Sequence, residues 1–356
     1  MPATPALVVS GYTEEGSGTG PGIARFALDG AGRVGAIQAQ GAGLRNPSFA
    51  AAGAGVLLAV EELAEGQVVA LDSGTLELVA RTASGGADPC HVALVGETVW
   101  VAHYSSGTAA ALPLPFLTAG TLQQAPTLVA HLKEPEAQEG RQASSHAHQV
   151  SATAWGSVLV TDLGADRVDE YDAETFVLLG SAQLPLGAGP RHVALKGQYL
   201  LVVGELDGCL HVFAREPQEQ ANNAWRWLFQ VPLAEDADRI AQAQDFAPSH
   251  MELSADASKL YAAVRGPDTL VVLDVSGLSA DPASETRPKK PVLVQQLPSG
   301  GKWPRHFAVA GQKMYVANQY SDNVAVFDLD GDGLLGAVPV QRVDFGSPSC
   351  VLVQAP

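Results

Sequence analysis

Continuous apolar runs of four or five residues, rich in Val and bounded by Gly, Asp and Asn, recur along the chain in pairs separated by a short turn. Examples are YLLVVGELDGCLHVF (199–213), KLYAAVRGPDTLVVL (259–273) and KMYVANQYSDNVAVF (313–327). Runs this short and this apolar read as buried strands, and the polar residues between them as hairpin turns. The pattern predicts an all-β chain made of small antiparallel sheets.

A phrase precedes most of these pairs: NPSF from Asn46, DPCHV from Asp88, HAHQV from His146, GPRHV from Gly189, APSHM from Ala247, WPRHF from Trp303 and SPSCV from Ser347. Counted from its second position, the steps are 42, 58, 43, 58, 56 and 44 residues. A period of this size is the mark of a repeat architecture. Seven small sheets arranged about an axis make a seven-bladed β-propeller, in which radial repetition limits exposed edges. PSCVLV (348–353) has no hairpin partner after it, while ALVVSGYT (6–13) and GIARFALD (22–29) have no phrase before them. Pairing the C-terminal strand with the N-terminal ones completes the last blade, so residues 1–356 are expected to form one propeller domain. The three long steps hold insertions at about 113–145, 215–246 and 275–303, read as loops, with a short helix expected around AEDADRIAQAQ.

Composition narrows the function classes. The formal charge of −17 opposes broad attraction to nucleic acid or to an anionic membrane, so neither is an expected partner. The start, MPATPALVVSGYTEEG, lacks the basic and apolar regions of a signal peptide, and no stretch is long enough for an apolar span; a cytoplasmic location is expected. Cys90, Cys209 and Cys350 are odd in number and lack metal-type spacing, which predicts no disulfide framework. Against the acidic background, Arg141, Arg191, Arg265 and Arg305 all fall inside or beside the repeated phrases, which would focus the scarce positive charge.

The phrases DPCHVAL with VAHYSSG, RQASSHAHQV with VTDLGADRVDEYD, GAGPRHVAL with GELDG, and GGKWPRHFAV with VANQYSDNVAVFDLDGDG resemble, in order and over essentially the whole chain, the lactonase-type seven-bladed propellers. That family includes a kind of 6-phosphogluconolactonase and the 3-carboxy-cis,cis-muconate lactonizing enzymes. The resemblance implies active-site residues at His148, Arg191, Glu205 and Arg265. Two positions depart from the family pattern: its Asn-Glu is Glu61-Glu62 here, and the Asn before the later glutamate is Gly204.

The repeat itself separates scaffold from site, because architecture recurs in every blade whereas chemistry uses residues peculiar to one. The position after the recurring proline reads Ser48, Cys90, His148, Arg191, Ser249, Arg305 and Ser349; the next reads Phe49, His91, Gln149, His192, His250, His306 and Cys350. Successive strand residues face opposite ways, so only one column is expected to line a central channel, and the variable first column is the better candidate. The repeated His91, His192, His250 and His306 are expected to form structural hydrogen bonds between blades. Fourteen residues after the first column lie Glu62, Tyr104, Glu205 and Gln319; Arg265 reaches the equivalent place after sixteen, because its ADAS turn is longer.

A lactone opens when water attacks its carbonyl carbon, which requires a base and a fixed positive group near the developing oxyanion. Glu205 or His148 would be the base, and Arg191 and Arg265 would divide the oxyanion and a substrate carboxylate or phosphate between them. His146, Glu62, Arg305 and Gln319 are expected to contact substrate. The expected activity is hydrolysis of an anionic sugar lactone in the channel, with no cofactor or metal, by a monomer or weak homo-oligomer. A lactone isomerase with His148 as proton donor and a non-catalytic binding propeller are the alternatives. Two lookalikes are set aside: DLDGDG (328–333) has Pro339 where a calcium loop needs a bidentate Glu, and SGGK (299–302) lacks the pattern of a phosphate loop.

Overall fold

Strands buried on both faces leave continuous apolar runs, and the runs become such strands: Tyr199–Gly204 is buried throughout, as is Ser157–Asp162 around its Val-Leu-Val centre. The computed structural model describes residues 5–14, 16–53, 55–114, 127–131, 140–216, 225–235, 246–279 and 288–354. These residues form seven four-stranded sheets, each strand hydrogen-bonded to its sequence neighbour except where the two ends of the chain meet. This is the seven-bladed β-propeller expected from the repeat. Among the described residues, no helix is long and apolar enough to cross a membrane.

Two compact units divide the chain, Met1–Ala130 with Ser299–Pro356, and His131–Pro298. In the first, the sheet of the chain ends is ordered Pro348–Gln354, Ala6–Gly11, Ile23–Leu28, Val34–Gly41. Its C-terminal strand runs antiparallel to the N-terminal one, with Ala6 opposite Gln354 and Val9 opposite Val351. Sheets beginning at Phe49, Pro89 and Pro304 complete this unit. Apolar layers fill the spaces between neighbouring sheets, one of them joining Leu7, Val9, Phe26, Tyr315, Val324 and Val351.

The second unit holds three sheets, beginning at Ala147, Pro190 and Ala247. A single apolar cluster runs through all three, from Leu159 and Val168 through Tyr199, Val202 and Phe213 to Leu260 and Val271. At about 25 cal/mol per Å² of apolar surface removed from water, this layer is the main attraction between the sheets.

The insertions are not simply loops. Each contains the outermost strand of its sheet: Thr127–His131, Trp225–Pro232 and Val292–Pro298. Outer strands also occur where no insertion was read, as at Leu78–Ala83 and Leu178–Gln183. They escape a search for apolar runs because one face is wet; only Ala80 is buried in the first, and Gly180 and Ala182 in the second. Of the segment expected to be a helix, 234–244, residues 236–244 lie outside the described residues.

Pairing of the chain ends generates a prediction. Deleting residues 348–356 removes the strand beside Ala6–Gly11 and uncovers Val9 and Tyr315, which lie in one apolar layer with Val351. The expected outcome is aggregation and loss of a cooperative melt, read by soluble yield and circular dichroism. An unchanged melting temperature would contradict this closure.

Candidate active site

The first strand of most sheets is entered in the same way. The residue before the recurring proline has a left-handed backbone: Asn46 (φ 44), Asp88 (φ 52), Gly189 (φ 62), Trp303 (φ 62) and Ser347 (φ 46). Its carbonyl accepts from the N–H at the end of the second strand, in Glu62 to Asn46 (3.1 Å), Tyr104 to Asp88 (2.9 Å), Glu205 to Gly189 (2.8 Å) and Gln319 to Trp303 (3.1 Å). The pairing register then slips just past the proline, between Pro89 and His91, Ala147 and Gln149, Pro190 and His192, Pro248 and Met251, and Pro304 and His306.

A bulge at this point leaves Cys90, His148, Arg191 and Arg305 outside the ladder and re-aims their side chains. Strict alternation fails there, which corrects the expectation that the two columns face opposite ways. His148 of the first column meets His192 of the second, ring centroids 5.7 Å apart at 70°. His192 in turn meets His250, with Nδ1 to Nδ1 2.9 Å. That last contact is a hydrogen bond between two sheets, as expected of the second column. His306 Nδ1 likewise accepts from the Val351 N–H of another sheet at 3.5 Å, and His91 stacks on Phe49 at 4.0 Å.

The same geometry brings Glu205 and Arg265 to equivalent places. Pro190 pairs with Gly204 and Pro248 with Val264, so the residue after each pair stands at the end of the second strand of its sheet, Arg265 as its last residue and Glu205 just past Gly204. Glu205 is 1% exposed and receives three guanidinium groups: Arg141 Nη1 to Oε1 at 2.6 Å, Arg191 Nε to Oε2 at 2.9 Å and Arg265 Nη2 to Oε2 at 2.8 Å. Burial works to raise the Glu205 carboxyl, but Arg265, Arg191, Arg141 and His148 outweigh it and hold the group well below the usual carboxylate range.

The two buried arginines are fixed by backbone as well. Arg191 Nη1 donates to the Ser249 carbonyl, while Arg265 donates from Nε to Ala247 at 3.0 Å and from Nη2 to Pro248 at 3.3 Å. The Arg191 carbonyl accepts from Thr161 Oγ1 at 2.9 Å, and the same hydroxyl accepts from the Gln149 N–H at 2.8 Å. His146 is half-buried; its N–H donates to Asp162 Oδ1 at 2.9 Å and its Nε2 lies 3.4 Å from Ser144 Oγ. Gly204 has no space for the family's Asn, since an added Cβ would come within 2.8 Å of the Ala188 carbonyl oxygen.

Glu62, Arg305 and Gln319 come together in the first unit, around Tyr12. The Tyr12 hydroxyl donates to Glu62 Oε2 at 3.0 Å, the Arg305 guanidinium lies 5.1 Å from the Tyr12 ring centroid, and Arg305 Nη1 donates to Gln319 Oε1 at 3.4 Å. Burial is the main cause that pushes the Tyr12 hydroxyl far above its usual range, so it stays a neutral donor. Glu61 is a scaffold carboxylate held by both prongs of Arg81, at 2.9 and 3.0 Å.

Sequence reasoning assigned roles to neither Arg141 nor Tyr12. Arg141 opens the RQASSHAHQV phrase, so its nearness to the HAH histidines was the available signal; Tyr12 lies outside the repeat and gave none. Its side chain 47% exposed, Arg141 is the wet member of a trio whose others are 4% and 7% exposed. In the DLDGDG segment, Asp330 Oδ1 accepts from the Asp332 and Leu334 N–H groups at 2.9 and 2.8 Å, the geometry of a turn. No cluster of metal-ligating side chains occurs among the described residues.

Comparison with known proteins agrees with this framework. The chain is 29% identical over 361 residues to the 6-phosphogluconolactonase of Bacillus subtilis, covering 96% of each. It is 28% identical over 227 residues to that of Formosa agariphila, covering 59% of each. The solved periplasmic gluconolactonase of Pseudomonas aeruginosa superposes with a TM-score of 0.83 at 28% identity, covering 99% of both chains. The model of the lactonase, seven-bladed β-propeller family matches residues 6–353, and the chain belongs to that family.

Proposed function

We propose that the protein hydrolyses an anionic sugar lactone of the 6-phosphogluconolactone class at the Glu205 cluster. The observation that carries this is charge. Three guanidinium groups face one buried carboxylate, a surplus of two positive charges in a chain whose formal charge is −17. Unbalanced positive charge is expensive to bury unless an anion completes it. The relatives named as 6-phosphogluconolactonase and gluconolactonase support a lactone as that anion's carrier.

In this reading Glu205 is an anchor rather than the base. Both its oxygens are taken by arginines, and a carboxylate held so far below its usual range accepts a proton poorly. His148 takes the proton from water, since imidazole is the side chain suited to that exchange near neutral pH. The water oxygen attacks the lactone carbonyl, and Arg191 and Arg265, rigidly held by backbone carbonyls, stabilise the oxyanion. Collapse expels the ring oxygen, which His148 reprotonates. Arg141, the exposed member, grips the phosphate or carboxylate. Proton NMR of candidate lactones tests the reading: appearance of the open hydroxy acid supports it. Formation of a second lactone would replace it by the isomerase, and no turnover by the binding propeller.

Three variants give separate expectations. His148→Asn should lower kcat at least ~100-fold, the scale of acid–base catalysis, while keeping its melting temperature; near-normal turnover would exclude His148 as base. Arg141→Met should raise KM for a phosphorylated lactone roughly 10–100-fold, the scale of one charged hydrogen bond of about 1.5–3 kcal/mol, with a smaller rise for a neutral lactone. Glu205→Gln should cost about 3–5 kcal/mol, because it strands the arginines. The sign of its pH dependence follows from linkage. A carboxyl that ionises more readily folded than unfolded stabilises the protein above its ordinary value of 4.5, and this contribution fades as pH falls below it. The stability gap between wild type and Glu205→Gln, from denaturant titrations, should therefore shrink from pH 7 to pH 3.

A further inference from the structure

Hydrolysis of a lactone leaves a proton over, and the structure offers a route for it. Of the two protons of the attacking water, one ends on the ring oxygen as the C–O bond breaks. The other is set free when the new carboxylic acid ionises. If the Glu205 cluster performs this reaction, each turnover must move one proton from a buried site to solvent. The surplus positive charge of Arg141, Arg191 and Arg265 favours the product as its anion, which requires the proton to leave.

His148, His192 and His250 stand in a row across the three sheets of the second unit. Their rings meet edge to face, centroids 5.7 Å apart for the first pair and 5.2 Å for the second. His148 and His192 are 6% and 3% exposed, whereas His250 is only half-buried. The last ring of the row is therefore the one with access to solvent. Between His192 and His250 the two Nδ1 atoms are 2.9 Å apart, so one ring donates and the other accepts. Such a pair carries one extra proton readily and two poorly, because with both rings protonated the hydrogen bond is lost. An imidazole can accept a proton at one nitrogen and release another from its second, which makes it a relay as well as a ligand.

We propose that His192 and His250 form a proton exit from His148 to solvent, deepening the lactonase reading on which it rests. The bulges after Ala147, Pro190 and Pro248 build it, since they turn consecutive columns of the repeat toward one another. Neither histidine touches substrate in this scheme, and both are positioning residues for the proton.

The test is kcat and KM of the full-length protein in weakly buffered solution, with and without added imidazole as a mobile proton carrier. His250→Ala and His250→Gln should each lose roughly tenfold or more in kcat, within the range of acid–base effects, with KM little changed. Imidazole should restore His250→Ala in a saturable way and leave wild type unaffected. Glutamine keeps a hydrogen-bonding group but carries no proton, so it separates relay from scaffold even if His250→Ala folds poorly. Full activity in His250→Gln, or a loss that imidazole does not restore in folded protein, would overturn the relay while leaving the lactonase reading intact. A wild-type protein that opens no lactone would overturn both.

Discussion

A carboxylate taken out of water must be matched by charge or by donors, and the way Glu205 is matched governs the second unit. Arginines meet it from the Arg141 phrase, from the first strand of its own sheet and from the second strand of the next sheet. Removing the carboxylate would leave three guanidinium groups without their shared counter-charge; removing Arg141 would leave Arg191 and Arg265, both held by backbone carbonyls, still outweighing the anion. Glu170 shows the ordinary solution. It is equally buried, but Trp155, Ser157 and Trp225 satisfy it with neutral donors at 2.7, 2.5 and 2.9 Å, and the Arg215 guanidinium stands farther off at 3.8 Å. The contrast separates a carboxylate that serves the scaffold from one that concentrates positive charge.

What makes this arrangement possible is a local backbone device repeated around the fold. A left-handed residue, a proline and a one-residue bulge open most of the first strands. Left-handed backbone at a residue such as Trp303 costs on the order of 1–3 kcal/mol, and persists only where the surroundings fix it. Here the ladder hydrogen bond to its carbonyl and the stacking of Trp303 on Tyr320, centroids 5.0 Å apart, do so. The repeated device sets the direction of a side chain, and the identity of that side chain then varies from sheet to sheet.

This division explains what was legible in the sequence. The strand pairs and the closure by residues 348–354 were readable, because strands buried on both faces leave continuous apolar runs. The equivalence of Glu205 and Arg265 was readable from spacing alone, since the ladder preserves it. The outer strands were not, because half-wet strands lack that signal. The contact of His148 with His192 was hidden too, because alternation is the rule a bulge breaks and the sequence does not mark the bulge. Arg141 was visible only as an arginine near the right phrase; its partner lies in the next sheet.

The proposed chemistry requires Glu205 to be an ionised anchor under its arginines rather than a proton acceptor. Carbon-13 NMR of the glutamate side-chain carboxyls, with the Glu205 resonance assigned by its loss in Glu205→Gln, reads that ionisation directly. The resonance should stay at its ionised position from pH 8 down to about 3, below the range in which an ordinary glutamate titrates. A titration midpoint at or above the ordinary 4.5 would contradict the account and return Glu205 to the role of base.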